Sequence, residues 1–416
     1  MEKGNKIKTV VPALRFPDFQ DTEGWKEYIL GDFLLEQPRY GINSPAVPFQ
    51  EELPTYIRIT DISENGCFLP NPKVSVDHGA ISDFYLKIGD LVFARTGASV
   101  GKCYKYKEKD GKLVFAGFLI KVSPDQTRLS SDFLFQFTFT QQYWKWIDLT
   151  STRSGQPGIN SKELASMELY LPVKDEQQKN ANCLSSLDEL IEATAQKVEA
   201  LKEHKKGLMQ RLFPAEGKGV PDLRLPEFQG QATEWQSTLL GAVVDYENGR
   251  AHENEIDENG DFVVVNSKFI STDGEVIKRT NTPYCLANKE DILMVLSDVP
   301  NGRAIAKCFF VDESGKYTVN QRICRLRSKD VNSKFLFYLI NRNPYFLSFD
   351  DGVKQTNLKK SEVLECPLMV PSSPIEQQKI ADFLSSIDDL IIATELRIKA
   401  LERHKKGLTQ QLFPKI

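Results

Sequence analysis

The stretch EQQKNANCLSSLDELIEATAQKVEALKEHKKGLMQRLFP at Glu176–Pro214 returns as EQQKIADFLSSIDDLIIATELRIKALERHKKGLTQQLFP at Glu376–Pro414, each residue 200 positions after its counterpart. In the first copy Leu184, Leu187, Ile191, Thr194, Val198, Leu201, Lys205, Leu208 and Leu212 follow one another in alternating steps of three and four. The second copy repeats the pattern at Leu384, Ile387, Ile391, Thr394, Ile398, Leu401, Lys405, Leu408 and Leu412. Such spacing lays one mostly apolar stripe along a helix, and the stripe needs a partner helix. Gly207 and Gly407 could cap helices that end at the His-Lys-Lys triplet, but the stripe continues in phase beyond both. A continuous helix is therefore expected, carrying a penalty of about 1 kcal/mol at each glycine. Its length would be roughly 50 Å.

Working outward, the repeat extends over the whole chain. Val11-Pro12-x-Leu14-Arg15-x-Pro17 returns as Val220-Pro221-x-Leu223-Arg224-x-Pro226, and Trp25 and Leu30-Gly31 return as Trp235 and Leu240-Gly241. Ile62-Ser63, Asp90, Phe133-Leu134-Phe135 and Gln156 answer to Ile270-Ser271, Asp291, Phe335-Leu336-Phe337 and Gln355, in the same order. Each half is thus a variable segment followed by a nearly invariant helix, the reverse of two copies of one active site. Pairing the helices antiparallel would place the variable domains at opposite ends of a rod with a pseudo-twofold axis, as operator symmetry mirrors protein symmetry. The VPALR segment at the amino end would then complete the second half and bring the termini together.

The variable segments, about 25–172 and 235–371, mix strand-like runs with helical ones and read as α+β domains. The strand-like runs are Tyr56–Ile62, Asp90–Ala94 and Leu113–Val122, then Phe262–Val265, Asp291–Leu296 and Arg322–Leu326. One helix is expected in each half, near Asp132–Ile147 and Ser333–Phe349. Loops at Arg95–Lys102 and Arg153–Asn160, with relatives at Ser297–Arg303 and Gly352–Asn357, set polar groups beside glycines. Groups of that kind can read base edges or phosphates where the backbone comes close.

Catalytic and metal motifs are not found. Gly97-Ala98-Ser99-Val100-Gly101-Lys102-Cys103 has three residues between its glycines where a Walker A loop needs four, and Cys in place of Ser or Thr. Asn343-Pro344-Tyr345-Phe346 resembles the Asn-Pro-Pro-aromatic motif of amino-methyltransferases but lacks one proline. Its first-half equivalent, Gln141-Gln142-Tyr143-Trp144, reads as the end of a helix. The four histidines do not pair, and the seven cysteines show no Cys-x-x-Cys spacing, so they are expected to be reduced.

With 416 residues, 41% apolar and 26% charged, the chain has the composition of a two-domain globular protein. It shows no membrane-spanning run and no signal peptide, so the cytoplasm is the expected compartment. The net charge of −4 argues against a surface that is basic throughout, and any nucleic-acid face must be local.

The Pro-x(3)-Glu-Gln-Gln-Lys start of the first helix, the paired Glu-Gln-Gln-Lys…Leu-Phe-Pro segments, the Tyr56–Ile62 run and Arg95-Thr96-Gly97 together resemble the specificity subunit of type I restriction-modification systems. The resemblance covers essentially the whole chain. It implies two target-recognition domains, each reading half of a split double-stranded DNA target, separated by helices that bind two methyltransferase subunits. Motor and nuclease subunits would join for cleavage. No cofactor is implied for this chain; S-adenosylmethionine, ATP and magnesium would belong to the partner subunits, and the chain would not be an enzyme.

The implied division is an N-terminal segment at 1–20, recognition domains at 21–172 and 215–372, and helices at 173–214 and 373–416. Candidate DNA contacts are Arg58, Arg95, Thr96, Lys102, Arg153, Gln156 and Asn160, then Lys268, Arg303, Arg322, Lys354 and Gln355. Leu296-Ser297-Asp298 stands where Arg95-Thr96-Gly97 would fall, so the half-sites should differ. A two-headed protein scaffold that never touches DNA is the alternative compatible with the acidic balance.

Overall fold

The computed structural model describes residues 9–79, 81–152, 156–215, 217–230, 235–299 and 304–415. Two compact units divide the chain, one made of 1–196 with 395–416 and the other of 197–394. The division runs through both long helices, so each unit holds one variable domain and a segment of each helix. The N-terminal segment, which the repeat expects to complete the second half, lies beside the end of the C-terminal helix, where Leu14 N donates to Gln411 O at 2.9 Å. In the second unit Leu223 N donates to Arg211 O at 2.8 Å, the repeat-related contact.

In the first unit, the strands Thr9–Val10, Trp25–Ile29 and Glu168–Leu171 form an antiparallel sheet. A second sheet orders Arg39–Tyr40, Leu119–Val122, Leu91–Ala94 and Cys103–Lys105, and a third pairs Thr55–Ile57 parallel with Leu113–Phe115. The second unit repeats this plan. Trp235–Leu239 pairs with Pro367–Pro371, and a four-stranded sheet orders Val244–Asn248, Ile323–Ser328, Ile292–Val295 and Cys308–Phe310. There Phe262–Val265 runs parallel to Tyr317–Val319.

Both long helices are unbroken, from Lys174 to Leu212 and from Pro374 to Leu412. All the stripe positions are buried or half-buried, while neighbours such as Asn182, Glu189 and Lys202 are exposed. Within the first unit Ala181 and Leu184 share a core with Leu412 and Phe413, and Asp188 meets Lys405 at 2.6 Å. Partner numbers fall as residue numbers rise, so the helices are antiparallel there. The second unit does the same with Ile380, Ala381 and Leu384 against Leu212, and Asp388 against Lys205. The two lysines that interrupt the stripe thus each reach a carboxylate on the other helix.

The repeated Glu-Gln fastens domain to helix. Glu176 accepts from Arg15 Nε and Nη2 at 2.8 and 2.7 Å and from Trp25 Nε1 at 3.1 Å. Glu376 accepts from Arg224 Nε and Nη2, both at 2.7 Å. Gln177 and Gln377 accept from Ser130 N and Asn332 N, the residues that cap the helices Ser131–Phe137 and Ser333–Ile340. The nearly invariant residues are those that tie the variable parts down.

Three expectations are corrected. The single helix expected near Asp132–Ile147 is two, Ser131–Phe137 and Gln141–Ser151, because the Thr140 hydroxyl caps a new start by accepting from Tyr143 N. Ser333–Phe349 likewise divides into Ser333–Ile340 and Pro344–Leu347. Asn341 caps the end of the first, Arg342 at φ 56° turns the chain, and Asn343 caps the start of the second, with a proline suited to its first turn. The tetrapeptides at Gln141 and Asn343 are therefore helix starts rather than ends. Finally, Leu113–Val122 is two strands in different sheets, separated by a turn in which Leu119 N donates to Ala116 O at 2.8 Å.

Among the described residues, a Cβ added at Gly207 or Gly407 meets nothing within 4 Å. Gly207→Ala and Gly407→Ala should each stabilise the fold by about 1 kcal/mol through helix propensity alone. Denaturant unfolding followed by circular dichroism should show both midpoints rising. A fall would show that the helix needs the glycine to bend.

Candidate nucleic-acid interface

The two polar loops of the first unit are brought together. Thr96 bridges Gly158, Gly97 N donates to Pro157 O at 3.1 Å, and Ile159 N donates to Arg95 O at 2.9 Å. The Arg95 guanidinium lies over the Tyr40 ring at 4.6 Å and reaches Gly117 O at 3.4 Å, while its Nε is buried without a partner among the described residues. Stacking of this kind preorganises a planar donor fork and leaves its outer edge available. Burial pushes the Tyr40 phenol up, but the hydrogen bond from Ser161 N and the nearby Arg95 charge outweigh it, and its pKa falls below the ordinary value. Gln156 is exposed beside this pair, and Asn160 caps the helix Ser161–Ala165 by accepting from Glu163 N at 2.9 Å.

Equivalent glycines in the two units are required by close approach. A Cβ at Gly41 would stand 2.1 Å from Phe115 O, and one at Gly249 would stand 2.2 Å from Asn320 O. These glycines let the chain leaving the strand that carries Tyr40 in the first unit, and Asn248 in the second, pass close against the ends of the strands Leu113–Phe115 and Tyr317–Val319.

In the second unit, the related loops meet as the short pair Ser297–Asp298 and Thr356–Asn357, and Gln355 Nε2 donates to Ser297 Oγ at 2.8 Å. Beside them opens a cleft of about 580 Å³ whose lining includes Lys268, Lys278 and Arg322. Among the described residues none of these three cations has an ion-pair partner. The cleft also holds two carboxylates, so three cations face two anions: Asp298 accepts from Val299, Ala304 and Ile305 N, and Glu253 accepts from Gln321 Nε2. The result is a local positive site on an acidic chain, of the kind a phosphate-bearing ligand selects.

The other candidates are more scattered. Arg58 forks onto Asp61 at 2.9 and 2.7 Å, which raises its pKa and occupies one edge of its guanidinium. Lys102 pairs with the exposed Glu64 at 2.7 Å. Lys354 is exposed in a turn where its backbone N–H donates to Asp351 at 3.0 Å. Arg153 and Arg303 lie outside the described residues. Sequence reading missed Tyr40, Lys278 and the exposed Phe118. Phe118 was hidden inside an apolar run read as one strand, and the Gly117 preceding it was the available signal.

Among the described residues, no group of three or more His, Cys, Asp or Glu is placed to hold a metal ion, and all seven cysteines are free. No helix among them is long and apolar enough to cross a membrane.

The doubled α+β domain with paired polar loops, each copy joined to a long helix, defines a class of protein with two recognition heads. Residues 23–203 and 232–403 both match the family described as type I restriction modification DNA specificity domain. The chain belongs to this family, that of type I restriction-modification specificity subunits, whose work is DNA target recognition. It is 24% identical over 417 residues to the type I restriction enzyme MjaVIII specificity subunit of Methanocaldococcus jannaschii, covering 94% of this chain and 92% of that one. The putative MjaX specificity subunit of the same organism is 25% identical over 350 residues, 80% of this chain and 79% of that one. In fold, the chain is similar to the crystal structure of a type I restriction-modification S subunit from M. genitalium. The TM-score is 0.61 at 16% identity, covering 98% of this chain and 100% of that one.

Proposed function

We propose that the first unit reads one half of a bipartite duplex target and the second unit the other, and that the chain thereby dictates where partner subunits methylate adenine or trigger cleavage. The observation that carries this reading is the recurrence of the same loop pairing in both units, with Arg95 and Gln156 at one and Arg322, Lys268 and Gln355 at the other. Equivalent scaffolds with different side chains suit two half-sites of different sequence. The chain itself carries no catalytic step in this scheme. Two methyltransferase subunits would pack on the long helices and supply S-adenosylmethionine chemistry on an extruded adenine. Motor and nuclease subunits would bring ATP and magnesium.

Binding to duplexes randomised in each half-site, across a salt series and with methyltransferase partner added, tests this. Arg95→Ala is expected to weaken binding by about 1–3 kcal/mol and to relax preference in one half-site only. A uniform loss with a smaller salt slope would reassign Arg95 to phosphate. Wild-type protein that showed no sequence preference in the presence of its partner would refute the reading.

A further inference from the structure

The two units exchange a cation and an apolar residue between two neighbouring structural positions. In the first, Arg95 N donates to Phe118 O at 3.1 Å; in the second, Leu296 N donates to Arg322 O at 2.9 Å. The surrounding bonds match as well, with Leu119 N to Ala116 O and Ile323 N to Asn320 O closing the same turn. Phe118 and Arg322 are therefore equivalent, as are Arg95 and Leu296. Leu296 is only 9% exposed and belongs to the core, which leaves Arg322 to present the charge in the second unit. In the first unit Arg95 supplies the charge, and Phe118, 57% exposed, stands where Arg322 would.

Phe118 is not a loose surface residue. Its carbonyl is held by Arg95 N, and the preceding Gly117 donates to Ile42 O at 2.7 Å and accepts from the Arg95 guanidinium. A large ring held out of the core, next to a stacked arginine, has little to gain from water and is positioned to meet an apolar feature of whatever Arg95 contacts. On a duplex, the apolar feature of a base edge in the major groove is the thymine methyl group.

We propose that Phe118 is a specificity-determining residue of the first recognition unit, contacting a thymine methyl next to the base read by Arg95, and that Arg322 replaces this contact with a polar one in the second unit. This rests on the DNA-recognition reading above. It assigns the difference between the half-sites to one exchanged position, in addition to the loops.

The test uses the full chain with its methyltransferase partner and duplexes in which each thymine of the target is replaced in turn by uracil, which lacks only the methyl. Wild type should lose roughly fivefold or more at one thymine of one half-site, the lower range for a single wrong base pair. Phe118→Ala should bind the thymine and uracil duplexes alike, and Arg322→Ala should alter preference only in the opposite half-site. Phe118→Leu, which keeps an apolar side chain, controls for folding and should retain part of the thymine preference. Wild type insensitive to uracil throughout a target that it otherwise binds selectively would overturn the proposal and leave DNA recognition standing. Absence of any preferred target would instead remove the reading on which it rests.

Discussion

Glu176→Ala should lower the stability of the first unit by about 3–5 kcal/mol, the usual cost of removing one partner from a buried ion pair. The carboxylate is 1% exposed and the Arg15 side chain 6%, so neither charge has water to fall back on. Three hydrogen bonds, two from the guanidinium and one from the Trp25 indole, converge on it. Removing it leaves the guanidinium without its counter-charge, held only by Thr22 and Glu23, and the Trp25 indole N–H without its acceptor. Arg15→Met combined with Glu176→Met should cost clearly less than Glu176→Ala alone, because no buried charge then remains. Denaturant unfolding of the three proteins checks this. Equal losses for the single and double variants would show that the ion pair is not what holds the N-terminal segment to the helix. In the second unit, Trp235 Nε1 is buried without a partner among the described residues, so Glu376→Ala should cost somewhat less.

Leu184→Ala and Leu384→Ala should each cost about 2–5 kcal/mol, as for other fully buried leucines. Each side chain is 0% exposed, and each joins a variable domain to the long helices within its own unit. The flank of the stripe should respond quite differently. Leu190, 39% exposed, lies beside the stripe rather than on it, and Leu190→Ala should stay within about 0.5 kcal/mol. Thermal unfolding that ranked Leu190→Ala with the other two would remove the stripe as the source of helix pairing. The measurement also tests whether the two halves behave alike, since the repeat places the same side chain in the same surroundings twice.

For the site, the readable part was the loops and the unreadable part was their company. Arg95, Thr96 and Gln156 drew notice because glycines and polar side chains recur at matched places, and the fold does pair those loops. Asn160 belonged to the same loop, but its side chain is spent on a helix cap. Arg58 and Lys102 looked equally available and are each engaged by a carboxylate. A partner such as Tyr40, more than 50 residues from Arg95 in sequence, leaves no local trace because contact across a sheet depends on strand order rather than spacing.

What the sequence determined by itself was the duplication, the two unbroken helices and the face each buries. Those follow from periodicity and from identity between copies, which are local or one-dimensional properties. Only the tertiary structure decided that Glu176 and Glu376 are clamps, that Lys205 and Lys405 pair with Asp388 and Asp188, and that Phe118 and Arg322 occupy one position. Each of these joins residues distant in sequence. A buried charge or an exposed ring has meaning only once the groups around it are known, because burial and partners set its energy.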